Sequence, residues 1–515
     1  MGTSANSLRG QPPVPDEALA LLAAMEEQFG PRRADILQEA AGRRERLIAE
    51  GPGLLTEARD PAEWHADPAP AELMERRVEL IGGCGRKALV DGMNAGAKSY
   101  VADLWNMTCN EPEAIWRAHK NIARATDLHL MYIGDGGERI RLNPRSSTRL
   151  TLAPRPLQVH DRSGLPGTSA PAAFVDLAVH AVNNAAKLVR RQGVVSLFLR
   201  GVRGCHEARL WADLFIFLEK RLGLARGSFR ATVMLDSLAA VIDADGILRE
   251  LKHHSAGLSL DPQGYAADLV ALFSTLDGPL MPDREHIGMD APFLRGVSLR
   301  AISICHRRQV HAMGAPAFVL PPDGHGTLNA RYLEMLGDKE REAVDGHDGT
   351  LVAHAGLVNP AMTEFNKSMP RAHQMYYQRE DKSTWAELTA KPEGELTTEG
   401  MQRCIRTVLK GMVLFREQGL VVQGGRLHDR SSIRLATVLL WHWAHGKGSF
   451  STGLEIHEGV VKYLIRKEGD KLFAMEGAEL HDRAVQAAQR LTQVVLAPHV
   501  PADLLEMGPQ LVDNR

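Results

Sequence analysis

Charged side chains stand at the ends of several short apolar runs in this sequence. Arg155, Arg200, Asp236 and His354 each follow such a run. Where parallel strands form a barrel, functional groups lie at the C-terminal ends of the strands and in the loops that follow them. In such a barrel these four residues would all lie at or near the functional end. An arginine that ends a buried strand is costly unless it is paired, so Arg155 is either a functional cation or half of a structural salt bridge.

The segment from 88 to 370 has the pattern of strands that alternate with helices. Short runs rich in Val, Ile, Leu and Ala are separated there by longer amphipathic stretches, which is typical of βα units. Eight candidate strands predict an α/β protein with a (β/α)8 TIM-barrel core. The predicted strands are SYVAD (99–103), RLTLAPR (149–155), VVSLFLR (194–200), RATVMLD (230–236), SAGLSL (255–260), HIGMD (286–290), APAFVL (315–320) and TLVAHAG (350–356).

The regions on either side of the barrel segment are predicted to lack strands. Residues 1–15 are rich in Gly, Ser and Pro and predict a flexible tail. Residues 16–87 predict an N-terminal helical segment, in which Gly30-Pro31 is expected to separate two or more surface helices. Residues 371–515 predict a C-terminal helical domain, with amphipathic helices at 400–419, 431–445, 453–466 and 478–496.

The composition argues against several classes of protein. The chain has 515 residues and a formal net charge of -2, so no global field would draw it to nucleic acid or to an anionic membrane. The five cysteines are far apart and lack metal-ligand spacing, which favours a reducing compartment over a disulfide framework. The N-terminal sequence has no signal-peptide pattern and no long apolar run occurs, so we expect a cytoplasmic protein.

Residues 345–362, DGHDGTLVAHAGLVNPAM, resemble the malate synthase sequence GHDGTWVAHPGLV almost residue for residue. The resemblance to the compact A-type malate synthases extends over about residues 70–445. It implies an acyltransferase of the glyoxylate cycle that joins acetyl-CoA to glyoxylate in a Claisen condensation and releases malate and CoA. It also implies Mg²⁺ as cofactor, and a monomer or a small homo-oligomer. Further blocks in the same order are ERRVEL (75–80), MNAGAK (93–98), HEARLW (206–211), FRATVMLDSLAA (229–240) and CHRRQVHAMG (305–314).

The resemblance implies a base and a cation for this reaction. Residues 424–443, GGRLHDRSSIRLATVLLWHW, align with the family segment that carries the catalytic Asp, which places Asp429 on the base. The alternative is that Asp429 only caps the helix that follows it. Residues 152–160, LAPRPLQVH, retain one arginine of the family's VRPRGWH, so Arg155 is the implied cation at the enolate oxygen.

The acids that hold Mg²⁺ in the family are largely replaced. The family's Glu in VLIETLPA corresponds to the shorter Asp236, and its Asp in LNCGRWDY corresponds to Gly264. The acidic pair of the family's ADFED corresponds to Trp105 and Asn106. Asp261 stands three residues before Gly264. Either its carboxylate joins Asp236 on Mg²⁺, or it opposes an anionic substrate held by the backbone N–H groups of this loop.

Two further groups of residues could bind ligands. The turn PAFVLPPDGHG (316–326) corresponds to part of the family's CoA cleft, so Pro321 and Pro322 are expected to form a wall for the cofactor. Several histidines have spacings that could bind zinc, but structural hydrogen bonding is favoured because four of them lie in blocks shared with a magnesium enzyme. They are His253, His254, His306, His311, His347 and His354.

Three hypotheses for function follow from these residues. The first is a working malate synthase with a rearranged metal site. The second is an enzyme of the same CoA-thioester class that uses another acceptor, a 2-oxo acid or aldehyde, with little or no need for Mg²⁺. The third is a non-catalytic homologue that binds a small molecule or a partner. Survival of Asp429 and Arg155 favours the first two.

Overall fold

The computed structural model describes residues 14–50, 63–162, 170–273, 280–322, 330–380, 383–474 and 477–499. Nearly all of the predicted flexible tail (1–15) lies outside these residues. Within the described part of the chain, no helix is both long enough and apolar enough to cross a bilayer.

Eight parallel strands close into a barrel, which confirms the predicted α/β class and the TIM-barrel core. All of the strands are short and are buried over most of their length, as a barrel covered by helices requires. The strands are β1 (Val78–Gly82), β2 (Ser99–Asp103), β3 (Arg149–Ala153), β4 (Val195–Leu199), β5 (Phe229–Leu235), β6 (Ser255–Leu260), β7 (Ala312–Ala317) and β8 (Gly349–Val352). The ring closes through β1, where Val78 lies beside Thr350 of β8 and Glu79 lies beside Ser99 of β2.

Seven of the eight predicted strands exist, with shifts at their ends, and one prediction is wrong. HIGMD (286–290) contains no strand: it begins in a 3-10 turn, Arg284–His286, in which the N–H groups of His286 and Ile287 bond to nearby carbonyls. The missing strand is β1, which lies inside the segment predicted to be helical. Glu79 interrupts its apolar run, and burial of this acid is possible because Arg76 Nε donates to its Oε1 at 2.9 Å.

The N-terminal helix α1 (Asp16–Glu50) is continuous, so the prediction of a break at Gly30-Pro31 is wrong. Its apolar face continues on both sides of Pro31, from Met25 and Phe29 to Ile36, and all three side chains are buried. The ring of Phe29 packs edge to face on the ring of Phe217, with 5.6 Å between the ring centroids. Packing of this face against the barrel helices stabilises the helix across the proline.

Helices cover the outside of the barrel and then form the C-terminal region. The four predicted C-terminal helices are all present, as the last four in the following list. The helices after α1 are α2 (Arg86–Asn94), α3 (Pro112–Thr126), α4 (Ala172–His180), α5 (Ala186–Gln192), α6 (Cys205–Leu222), α7 (Leu238–Ile242), α8 (Ala244–Glu250), α9 (Pro262–Phe273), α10 (Pro292–Arg307), α11 (Ala330–Asp345), α12 (Val358–Ser368), α13 (Trp385–Leu388), α14 (Thr398–Gln418), α15 (Arg430–His445), α16 (Glu458–Lys471) and α17 (Ala478–Val495).

A short hairpin joins the C-terminal helices to the mouth of the barrel. Its strands, Val421–Gln423 and Arg426–His428, pair with each other, and Arg426 forms a bridge to Val319 beyond β7. The N–H of Leu320 also donates to the carbonyl of Gly425 at 2.9 Å. Because α15 begins directly after this hairpin, its first turn lies at the C-terminal ends of the barrel strands.

Candidate active site

Four buried acids and one buried arginine meet at the C-terminal end of the barrel. Asp103 is the last residue of β2, Asp236 follows β5, and Asp261 follows β6. Asp429 comes from the C-terminal region, directly before α15, and Arg200 follows β4. Each of the five is at most 4% exposed. Three of these residues, Asp236, Asp261 and Asp429, were singled out in the sequence for a role at the site.

Arg200 is the cation of this cluster. Its Nη1 donates to Asp261 Oδ2 at 2.6 Å, and its Nη2 donates to Asp103 Oδ2 at 3.2 Å. Burial lowers the pKa of Arg200, but the charges of Asp103, Asp261 and the other two acids outweigh it and raise the pKa above its ordinary value. The guanidinium is therefore permanently charged. Its Nε–H is buried and has no hydrogen-bond partner among the described residues.

Asp429 is both a helix cap and a member of the acidic cluster. Its Oδ1 accepts the backbone N–H of Ser432 at 2.9 Å, which caps α15, and its Oδ2 accepts from Asn106 Nδ2 at 3.2 Å. Burial, followed by the charge of Asp261 and opposed by Arg200, raises the pKa of Asp429 to about 7. Capping uses Oδ1 only, and Oδ2 accepts a single hydrogen bond, so Oδ2 keeps a second lone pair for proton transfer near neutral pH.

Asp236 and Asp261 lie on either side of Gly264, which the sequence had marked as the site of a lost ligand. A Cβ at Gly264 would lie 3.0 Å from Asp261 Cγ and 3.1 Å from Asp236 Cβ, so a larger residue here would require these side chains to shift by a few tenths of an ångström. Asp236 Oδ2 accepts the N–H of Gly201 at 2.8 Å. Burial, together with the charge of Asp261, raises the pKa of Asp236 to about 6.

The oxygens of these acids are already used by donors of the protein. Asp261 Oδ1 accepts the N–H of Gly264 at 2.9 Å, and its Oδ2 accepts from the Ser431 hydroxyl at 3.0 Å as well as from Arg200. Asp103 Oδ1 accepts two backbone N–H groups, those of Trp105 and Asn106. Asp236 Oδ1 is the one carboxylate oxygen of the four acids that has no partner among the described residues.

This donor set does not fit a divalent cation. Mg²⁺ requires near-octahedral oxygen ligands at about 2.0 to 2.1 Å, whereas all of these carboxylate oxygens except Asp236 Oδ1 accept hydrogen bonds from the described residues. In the described part of the chain, no group of three or more His, Cys, Asp or Glu side chains has the geometry of a metal site. A metal pair with Asp236 was one of two roles considered for Asp261; in the structure the two acids lie on either side of Gly264, and Asp261 is paired with Arg200.

Arg155 lies at a neighbouring strand end and has different partners. Its Nη2 donates to Asp176 Oδ1 at 2.7 Å, and its Nη1 donates to Asp161 Oδ1 at 2.8 Å and to Asn110 Oδ1 at 2.9 Å. The Nε and the backbone N–H of Arg155 also donate to Asp176. This arrangement is the salt bridge that the sequence left open as the alternative role of Arg155.

A groove of about 1000 Å³ opens beside the acidic cluster, lined by the loops after β1, β2 and β8. Met107 and Thr108 line it and follow Asn106 directly in the chain. Pro321 lies close to Gly356, just past the His354-Ala355 edge of the groove, and Pro322 follows it; both are half-buried. The basic residues that line the groove are Arg86, Lys87, Arg117, Lys120 and Arg416.

The histidines have structural partners. His306 Nε2 bonds Asp348, His254 Nε2 bonds Glu219, and His347 Nε2 bonds the Ser298 hydroxyl. The ring nitrogens of the others contact backbone groups or a surface acid: His311 with the Met74 carbonyl, His354 with the Gly356 N–H, and His253 with Asp67. These contacts are structural hydrogen bonds of the kind that the sequence favoured over zinc binding.

Sequence reasoning missed Asp103 and assigned no role to Arg200. Asp103 and Arg200 each stand at the end of a predicted strand, as Arg155 does. Position at a strand end could therefore have pointed to both of them. Their pairing could not be found, because Asp103 and Arg200 are 97 residues apart in the chain.

Comparison with known proteins shows one consistent likeness. The model of the malate synthase TIM-barrel domain matches residues 155–391. Malate synthase of Myxococcus xanthus is 30% identical over 475 residues, 90% of this chain and 86% of the relative. Glyoxysomal malate synthase of Cucumis sativus is 31% identical, over 91% of this chain and 82% of the relative. The structure of a Haloferax volcanii malate synthase pyruvate/acetyl-CoA ternary complex has 14% identity and a TM-score of 0.48, covering 83% of this chain and 100% of that one.

Proposed function

Since the chain belongs to the malate synthase family, we propose that it condenses acetyl-CoA with glyoxylate and releases malate and CoA. The observation that carries this proposal is the buried carboxylate of Asp429, whose pKa is raised to about 7 at the mouth of the barrel. A base with a pKa near the working pH combines a large deprotonated fraction with useful basicity. That is what removal of a weakly acidic methyl proton requires.

In the first step, Asp429 Oδ2 takes a proton from the methyl group of acetyl-CoA. The C–H electron pair becomes the C=C bond of an enolate, and the negative charge moves to the thioester oxygen. The cap bond from Ser432 to Oδ1 and the bond from Asn106 to Oδ2 fix the carboxylate so that it meets the substrate in one orientation.

In the second step, the enolate carbon attacks the aldehyde carbon of glyoxylate. A C–C bond forms, the carbonyl π electrons move onto the aldehyde oxygen, and this oxygen takes a proton to give the hydroxyl of malyl-CoA. Water then adds to the thioester carbon and the C–S bond breaks, which yields the second carboxyl group of malate and the thiol of CoA. The buried charge of Arg200 lies in the same cluster as Asp429 and favours these anionic stages.

Mg²⁺ is the cofactor that the family resemblance implies, with Asp236 and Asp261 as its ligands in this chain. In this structure Asp261 instead accepts hydrogen bonds from Arg200, Ser431 and the N–H of Gly264, and the Arg200 charge beside it opposes a second cation. No step of the proposed reaction is therefore assigned to a metal ion.

The groove between the loops after β1, β2 and β8 is the proposed site of the CoA moiety. CoA carries several phosphate charges, and the side chains of Arg86, Lys87, Arg117 and Lys120 line this groove. Pro321 and Pro322 at its edge form the proposed wall for the adenine ring. Met107 and Thr108 line this groove and directly follow Asn106, which binds Asp429, so the thioester end of CoA is proposed to lie at this end of the groove.

The working unit is proposed to consist of the barrel together with the C-terminal helical region from 371 onward. Asp429 belongs to that region, whereas its partner Asn106 belongs to the loop after β2. A monomer or a small homo-oligomer in the cytoplasm is part of the same proposal.

The proposal is tested by incubating the protein with acetyl-CoA and glyoxylate, following free CoA with a thiol reagent and identifying malate by mass spectrometry. We expect both products in equal amounts. If the methyl protons of acetyl-CoA exchange in D₂O but no malate forms, an enzyme of the same class with another acceptor is indicated. If neither exchange nor CoA release occurs, the proposal fails.

A further inference from the structure

We propose that the guanidinium of Arg200 is the resident cation of this site and takes the place of a divalent metal ion, so that the condensation proceeds without one. This inference rests on the malate synthase activity proposed above. In this proposal the Arg200 guanidinium holds the substrate oxygen on which negative charge develops during the condensation.

The first support is the position of Arg200. It follows β4 and reaches sideways to two acids at other strand ends, Asp261 after β6 and Asp103 at the end of β2, with contacts of 2.6 and 3.2 Å. The side chains of all three are at most 5% exposed. A buried charge in this setting is stable only because it is paired with acids on more than one side. Arg200 thus occupies the centre of positive charge that a bound cation would supply.

The second support is the state of the acids around it. Each oxygen of Asp103, Asp261 and Asp429 accepts a hydrogen bond from the protein, and Asp236 Oδ1 is the exception. To collect ligands, a metal ion would have to displace Arg200 from Asp261. Arg200 is tethered at the end of a buried strand, so it competes as an intramolecular partner against an ion that must also lose its water shell.

The third support is what Arg200 leaves unused. A guanidinium has five N–H donors in a rigid plane, and the bonds to Asp103 and Asp261 use two of them. The Nε–H is buried without a partner among the described residues. A buried unpaired donor is costly, and an oxygen of a bound substrate would satisfy it. The planar fork matches the aldehyde and carboxylate oxygens of a small 2-oxo acid.

A connection to the base completes the arrangement. The Ser431 hydroxyl donates to Asp261 Oδ2 at 3.0 Å, while Asn106 Nδ2 donates to Ser431 Oγ at 2.8 Å and to Asp429 Oδ2 at 3.2 Å. Arg200, Asp261, Ser431, Asn106 and Asp429 thus form one continuous network. The same cation that orients the acceptor is held in a fixed position relative to the base.

Arg155 is a matched control within the same protein. It is also an arginine at a strand end, 1% exposed, and paired with two acids. Its Nε and Nη2 donate to Asp176, and its Nη1 donates to Asp161 and Asn110. None of these three residues belongs to the cluster around Asp429. Loss of Arg155 should therefore destabilise the fold without creating a cation site.

The test uses Mn²⁺ as the probe, because its paramagnetism reports binding without any assay of activity. Electron paramagnetic resonance should show no stoichiometric uptake of Mn²⁺ by the wild-type protein. Arg200→Met leaves the acids without their cation, so this variant should bind one Mn²⁺ and gain thermal stability when Mn²⁺ or Mg²⁺ is added. Arg155→Met should show neither effect.

Activity provides the second readout. CoA release by the wild-type protein should be unchanged in excess EDTA. Arg200→Lys keeps the charge but loses the planar fork, so its kcat/KM for glyoxylate should fall by about tenfold or more, with the KM for acetyl-CoA nearly constant. If Arg200→Met does not fold, the Mn²⁺ measurement on the wild-type protein and the kinetics of Arg200→Lys still test whether Arg200 replaces the metal ion.

Two results would overturn the inference. One is tight 1:1 binding of Mn²⁺ by the wild-type protein that is lost in Asp236→Asn or Asp261→Asn. The other is abolition of CoA release by EDTA with recovery on addition of Mg²⁺. If the wild-type protein releases no CoA under any condition, the proposed function fails, whereas the Mn²⁺ measurements on the two arginine variants still test the role of Arg200 as a cation.

Discussion

Replacement of Asp429 by Asn should separate its role as a base from its role as a helix cap. Asn is as good an N-cap as Asp, so the bond to the Ser432 N–H can persist. The amide cannot accept a proton, so CoA release should fall by roughly 10² to 10⁴-fold. Exchange of the acetyl-CoA methyl protons in D₂O, followed by NMR, should fall by a similar factor.

The same variant should be more stable than the wild-type protein at alkaline pH. The pKa of Asp429 is raised from 3.8 to about 7 by burial and by Asp261, which corresponds to about 4 kcal/mol of free energy. A carboxyl group whose pKa is raised on folding stabilises the fold at low pH, and this contribution is lost as the pH rises from about 4 to about 7. An Asn side chain at this position does not titrate, so the variant does not lose stability in this way as the pH rises.

The stability difference is measured by urea unfolding at pH 5 and at pH 8. The advantage of Asp429→Asn over the wild type should grow by about 2 to 3 kcal/mol between these two conditions. Asp176→Asn is the control with the opposite sign, because Arg155 and His119 lower the pKa of Asp176 against the effect of burial. That variant should lose a similar amount of stability at pH 5 and at pH 8, because both lie above the ordinary pKa of a carboxyl group.

Two results would refute the reasoning about Asp429. If Asp429→Asn retains more than about a tenth of the wild-type rate, Asp429 is not the base. If the stability difference is the same at pH 5 and pH 8, the carboxylate of Asp429 does not titrate near neutral pH in the folded protein. In that case it acts as a cap only.

Three further outcomes are expected. The wild-type kcat/KM for acetyl-CoA should rise with pH through a midpoint near 7, since Asp429 must be deprotonated to act; a flat profile from pH 5.5 to 8.5, a range of about three units around this midpoint, would contradict the assignment. Arg155→Met should lower the free energy of unfolding by about 3 to 5 kcal/mol in urea titrations, since it leaves buried carboxylates unpaired, and a loss below about 1 kcal/mol would show that this salt bridge is unimportant. Gly264→Ala places a Cβ 3.0 Å from Asp261 Cγ and 3.1 Å from Asp236 Cβ, so these two acids must shift. The rate of CoA release should therefore fall, while the melting temperature changes little. A fully active variant would show that the loop adjusts.

The sequence determined the architecture because barrel strands and amphipathic helices are local patterns. A buried parallel strand is a short apolar run, and seven of the eight predicted strands were found for that reason. The pattern failed at β1, where the charged Glu79 interrupts the apolar run and is buried because it pairs with Arg76. It also failed at Pro31, where packing of an apolar face on the barrel keeps α1 continuous.

The sequence also placed Asp429 at a helix start and Arg155, Arg200 and Asp236 at strand ends, since these positions follow from the order of residues in the chain. Only the tertiary structure decided which of these groups meet. Asn106 and Asp429 are 323 residues apart, and Arg200 and Asp261 are 61 residues apart. The choice of partner affects the proton affinity of each buried group: Arg155 pairs with Asp176, whereas Arg200 pairs with Asp261 in the cluster that includes Asp429. Such pairings depend on closure of the barrel, which no local pattern encodes.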